Sequence, residues 1–171
     1  MKNYKKDLEN ARDNNQARHV YNKGVEHANI FMQVLLDGAK ESVKIYTKKF
    51  DNQVSSKDGF IKSLQRVLAD NKIEVKILME ETSDNSAIVK LISQYNSPDF
   101  NNEIKIDINK KIKDCIIDSF DGNNYHFTVV DKQSYRLEED TILFKAYGSF
   151  GYELDFTEGL DNYFNFCFKC N

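Results

Sequence analysis

The chain has 171 residues, enough for one core-forming domain and too few for two ordinary ones, so a single domain spanning 1–171 is expected. Its residues are 40% hydrophobic and 12% aromatic, with a single proline; that is enough apolar surface to offset the entropy of ordering, which excludes a disordered chain. A formal net charge of -3 argues against a general nucleic-acid or anionic-membrane binder, since such proteins carry a basic excess.

Residues 1–10 are mostly polar and charged, without the apolar core of a secretory leader. No apolar run approaches the roughly 18 residues of a membrane span. A cytoplasmic protein without membrane contact is expected. From about Ala17 to Lys40, Val20, Tyr21, Val25, Ala28, Phe31, Met32, Leu35 and Leu36 recur at three-and-four spacing, which predicts one long amphipathic helix carrying His19 and His27. Val43, Ile45 and Tyr46 then form a short β-rich run.

Ser55 and Ser56 are candidate caps for a second helix with Phe60, Ile61, Leu64, Val67 and Leu68 on one face. Ile73 to Met79 alternates as a strand, and Asp84 is the candidate cap of a third helix that Ser97-Pro98 stops. Strand, helix, strand, helix at this spacing predicts parallel strands covered by helices, hence an α/β fold with a mixed central sheet and helices on both faces. Ile104 to Ile108 is the next strand, and Cys115-Ile116-Ile117 a short further candidate.

Beyond a turn at Asp121 to Asn124, Tyr125 to Val130 predicts a strand. A turn at Asp131-Lys132-Gln133 links it to Tyr135-Arg136-Leu137, and Ile142 to Tyr147 offers one more strand before a last helix, roughly Glu153 to Lys169. Along the first of these strands Asn124, His126, Thr128 and Val130 share one face, and Tyr125, Phe127 and Val129 the other. One face is aromatic core; the other can carry a site.

This stretch resembles the phospholipase D superfamily, whose signature is H-x-K-x-x-x-x-D at the end of a core strand, followed after a turn by Gly-Ser and usually an Asn two residues on. Aligned on Asp131, the family histidine falls at Asn124 and the lysine at His126; Gly148-Ser149 take the Gly-Ser positions and Gly151 the place of the Asn. The resemblance implies candidate catalytic positions at Asn124, His126, Asp131 and Ser149. A histidine nucleophile is replaced, and an amide cannot form the phosphohistidine of that mechanism. Around it, His126, Arg136 and Ser149 are candidate anion contacts, set against plainer roles: a hydrogen-bonded histidine, an Arg136 pair with Glu138 or Asp140, and an ordinary glycine-rich turn.

The function expected is therefore a catalytically inactive phospholipase D-like domain that serves as a binding or assembly subunit. The family builds a complete site from two motif copies and this chain has one, which implies a homodimer or a place in a larger complex. The alternative is a phosphodiesterase or nuclease working through His126 as a homodimer. Lys105, Lys110, Lys111 and Lys113 form a basic cluster that leaves nucleic acid open as a partner, against the plainer reading of a solvated face. A weaker alternative is a thiol protein using the C-x-x-C of Cys167 and Cys170; with Cys115 the cysteines are odd in number, and two small apolar residues on a last helix turn is the plainer reading. A zinc site would need two more ligands, and His19, His27 and His126 are not paired at ligand spacing. No metal and no cofactor are expected.

Overall fold

The structure, a computed structural model, describes residues 2–16, 18–50, 53–81, 87–106, 108, 110, 112–114, 120, 122–123, 125–151 and 153–170. The expected strand at Cys115-Ile116-Ile117 and the cap at Asp84 lie outside the described residues. In chain order the elements are α1 (Lys2–Asp13), β1 (Val20–Asn22), α2 (Val25–Asp37), β2 (Ser42–Thr47), α3 (Asp58–Ala69), β3 (Glu74–Met79), α4 (Ala87–Tyr95) and β4 (Asn102–Ile106). They are followed by β5 (His126–Val130), β6 (Ser134–Asp140), β7 (Lys145–Phe150) and α5 (Leu154–Cys170).

The strands form one seven-stranded sheet in the order β1-β7-β6-β5-β2-β3-β4. Its β2-β3-β4 half is parallel, as the alternating strand–helix pattern requires, and β5 joins β2 antiparallel, so β2 is where the two halves meet. Alternation along each strand then sorts the side chains. Val43, Ile45, Val75, Ile77, Val130 and Phe150 meet apolar residues of α1 to α4 on one face. Tyr46, Leu78, Phe127, Val129, Tyr135 and Leu137 meet Leu160, Phe164 and Phe168 of α5 on the other. The expected α/β mixed sheet with helices on both faces is observed.

Three local expectations change. The single helix over 17–40 is instead β1 followed by α2, because Gly24 takes a φ of 84° and Tyr21 pairs with Tyr147 at the sheet edge. His19 thus precedes β1 and only His27 is helical, its ring 4.2 Å from that of Tyr4 on α1. The second helix starts later than Ser55 and Ser56, with Lys57 at the N-cap and no side-chain cap. The strand expected over 142–147 is β7 at 145–150, because the Asp140 carboxylate accepts the amides of Ile142 (2.9 Å) and Leu143 (2.8 Å) and turns the chain there. Gly148-Ser149 consequently lie within a strand rather than a turn. A Cβ on Gly148 would sit 2.1 Å from the Tyr135 carbonyl oxygen and 2.8 Å from the Phe31 ring, so glycine there lets α2 approach the sheet.

Candidate functional site at the His126 end of the sheet

The tight turn at Asp131-Lys132-Gln133 sets the register of the hairpin. Asp131 and Lys132 both take positive φ, 54° and 56°, and Val130 pairs with Ser134; stepping outward, Thr128 meets Arg136 and His126 meets Glu138. Thr128, Arg136, His126 and Glu138 face Met32 of α2 and Phe60 of α3. Beyond β6, Ala146 of β7 and Asn22 of β1 complete the same row.

Side chains along this row form a continuous chain of hydrogen bonds. The Asn22 amide donates to the Phe144 carbonyl at 2.5 Å and accepts from Arg136 Nε at 3.1 Å. Arg136 Nη2 donates to Glu138 Oε1 at 2.9 Å, and the other Glu138 oxygen lies 3.3 Å from His126 Nδ1. His126 Nε2 accepts the backbone N–H of Lys48 at 3.2 Å. Since a backbone amide can only donate, that contact places the lone pair on Nε2 and the proton on Nδ1, facing Glu138. Burial pushes the Glu138 carboxyl up, but the Arg136 charge and the hydrogen bonds from His126 and Arg136 outweigh it and hold it at about 2.

At the ends of the neighbouring parallel strands lies a second group that sequence reading did not assemble. The Tyr46 hydroxyl donates to Glu80 Oε1 at 2.5 Å, and Lys113 Nζ lies 2.5 Å from Glu80 Oε2. Burial raises Glu80; its hydrogen bonds to Lys113 and Tyr46, with the charge of Lys113, more than reverse this. Burial and the Glu80 bond together push the Tyr46 hydroxyl well up. The Tyr46 and His126 rings stand edge to face 6.2 Å apart, which joins the two groups.

Of the residues that the sequence singled out, His126 and Arg136 are brought together. Asp131 sits at the far end of β5, where its carboxylate accepts the amides of Lys40, Glu41 and Ser42 at 2.8–2.9 Å. Ser149 is completely buried in β7 opposite Tyr135, on the face turned away from His126. Asn124 lies outside the described residues. Arg136 makes the Glu138 pair that was one of its two expected roles. Of the basic cluster, Lys105 donates to the Phe168 carbonyl, Lys110 pairs with Asp114, Lys113 with Glu80, and Lys111 lies outside the described residues. On α5 Cys167 is buried and Cys170 exposed. Among the described residues no group of three or more His, Cys, Asp or Glu is placed to hold a metal, and no helix is long and apolar enough to cross a membrane.

The space beside His126 is small. A cavity of about 40 Å³ lies between His126, Thr128, Arg136, Met32, Phe50 and Phe60, against the roughly 300 Å³ at which small-molecule sites begin.

No family model and no curated protein matches the chain. Solved structures do. NucT from Helicobacter pylori superposes with a TM-score of 0.57 at 14% identity, over 89% of this chain and 96% of that one. TrmBL2, described as an archaeal chromatin protein with a novel mode of DNA binding, superposes with a TM-score of 0.52 at 12% identity over 87% of this chain. This chain spans about half of that one, 49% of its length. The likeness to NucT, a phospholipase D-like fold, bears out the fold that the His126 stretch suggested.

Proposed function

We propose that this chain is a phospholipase D-like domain that binds without cleaving, as one subunit of a homodimer or of a larger assembly. The state of His126 carries the reading. Its Nε2 lone pair is held by the Lys48 amide, its Nδ1 is turned to Glu138, and its side chain is 11% exposed. An imidazole attacks phosphorus through a free lone pair, and this one has none to offer without breaking a backbone contact. The family lysine, a permanent positive charge, is absent from the same position, and the aligned nucleophile is the amide of Asn124. The description of TrmBL2 as a DNA-binding protein makes nucleic acid the first ligand class to test.

One observation favours the alternative, a phosphodiesterase acting through His126. A carboxylate 3.3 Å from Nδ1 is how an imidazole is oriented for catalysis. Purified protein is assayed against a bis-aryl phosphodiester, single-stranded DNA and RNA, with His126→Ala alongside and with light scattering to give the assembly state. The expected result is no turnover above background and either a dimer or a stoichiometric partner recovered from cells. Turnover abolished by His126→Ala would establish the alternative, and a monomer without a partner would remove the assembly role.

A further inference from the structure

On the α5 face, at the β1 edge of the sheet, five aromatic side chains and two carboxylates line an open pocket of about 310 Å³: His19, Tyr21, Tyr135, Tyr147, Phe156, Glu139 and Glu153. Cross-strand pairing creates it. Tyr21 of β1 stands opposite Tyr147 of β7, Ser149 pairs Tyr135 on β6, and Phe156 arrives from the first turn of α5. Tyr135 is completely buried and backs the pocket, and the rings in front of it meet as walls rather than as a stack. Tyr135 and Tyr147 are 88° apart at 6.1 Å, Tyr135 and Phe156 63° apart at 5.0 Å, and His19 and Tyr147 62° apart at 5.9 Å.

The walls are braced from behind. Glu153 Oε2 accepts the Tyr135 hydroxyl at 2.5 Å and lies 2.6 Å from His19 Nε2, so both rings are pinned by one carboxylate. Desolvation first, and then the charges of Glu139 and Glu153, push the Tyr147 hydroxyl up, as expected for a pocket of negative potential. Tyr21 is 67% exposed and Phe156 39% exposed, an apolar surface that burial in the core does not explain.

We propose that this pocket binds a small organic cation, an alkylated ammonium group, between its aromatic walls. Ring quadrupoles attract a cation lying over them, and alkyl groups on the nitrogen fill apolar space that water solvates poorly. The carboxylates select a cation over a neutral ligand of the same shape. Glu153 Oε2 is already committed to two donors, so that oxygen offers a bound cation its charge rather than a free lone pair. The site is on the opposite face of the sheet from His126, and it stands whether or not that histidine acts in catalysis.

The full chain is titrated with tetramethylammonium, ammonium and tert-butanol at constant ionic strength, read by chemical shifts of the tyrosine ring resonances. Saturable binding of tetramethylammonium is expected, with the other two probes weaker by about ten-fold, since each lacks either the alkyl groups or the charge. Tyr21→Ala, at an exposed position, is expected to weaken binding about five-fold, and Glu139→Gln by a smaller factor. Equal binding of tert-butanol, no saturable binding of tetramethylammonium, or unchanged binding in both variants would overturn the proposal.

Discussion

On the α5 face the sheet buries a two-member ion pair, Lys44 of β2 with Asp161 of α5, whose second oxygen accepts the Asn165 amide at 3.1 Å. On the other face it buries a row of five groups running from Asn22 through Arg136, Glu138 and His126 to the Lys48 amide. The two solve one problem differently. A buried charge must be met by partners, and the pair concentrates that demand on a single contact whereas the row shares it among strands β1, β6 and β5 and the segment after β2. The sharing has a structural consequence. Asn22, Arg136, Glu138 and His126 each meet a neighbour in the row, so it ties β1, β6 and β5 to the segment after β2.

If the pair is the more concentrated of the two, removing one member of it should have the largest effect. Lys44 and Asp161 are 4% and 1% exposed, and Lys44→Met leaves a carboxylate in the core that, among the described residues, keeps its hydrogen bond from Asn165 but has lost its cation. A loss of about 3–5 kcal/mol is expected in urea unfolding, with much of it recovered in the Lys44→Met, Asp161→Leu double variant. A single variant within about 1 kcal/mol of the parent would show that water reaches the pair and would erase the contrast.

The row should respond to pH where the pair's apolar replacement does not. The Glu138 carboxyl is held at about 2 against an ordinary value of 4.5, so the native state favours its ionised form. Its contribution is therefore present above pH 4.5 and is lost as pH falls through that value toward about 2. The size at neutral pH is about 3 kcal/mol. Glu138→Gln should lower stability at pH 7 by an amount of that order and flatten the acid limb of the stability curve between those values. An acid limb as steep in the variant as in the parent would assign the loss to other carboxylates.

Asp131 tests the resemblance on which it was aligned. At the far end of β5 from His126, its carboxylate closes the entry to β2 by accepting three consecutive amides. Asp131→Ala leaves those donors unmet at a half-exposed site, for an expected cost of about 2 kcal/mol, with the Lys40 to Ser42 amides losing hydrogen-exchange protection. Unchanged protection would mean that water replaces the carboxylate at no cost.

Much of this was legible in the sequence, and what was not has identifiable causes. The turn at Asp131-Lys132-Gln133 was readable from its residue types, and its length alone brings Glu138 opposite His126. The α/β alternation from Val43 to Ile106 was readable because each apolar run has one clear period. The start of the chain misled because the residues of β1 and α2 share three-and-four spacing, and only the pairing of Tyr21 with Tyr147 reveals the strand. In α1 the signal existed, with Tyr4, Leu8 and Ala11 one turn apart, but the surrounding Lys, Asp and Glu diluted it. Gly148-Ser149 read as a turn because glycine usually signals one; here it marks the approach of Phe31. The Tyr46, Glu80 and Lys113 group draws on distant segments that no local pattern links.

The smallest effect is expected where the chemistry of the buried pair recurs at the surface. Lys110 and Asp114 carry the same two functional groups as Lys44 and Asp161, 2.6 Å apart, but with 87% and 50% of their side chains exposed. Water screens the attraction at that exposure, and the side-chain entropy spent in holding the contact consumes what remains. Lys110→Ala should therefore leave the unfolding midpoint unchanged within error, while Lys44→Met shifts it strongly. The surface variant also tests the basic cluster as a nucleic-acid contact. If Lys110 met a phosphate, its loss would reduce the slope of log K for single-stranded DNA against log salt by about 0.7, the counterion released by one contact. An unchanged slope, together with an unchanged midpoint, is the expected pair of results and would place any nucleic-acid contact elsewhere on the molecule.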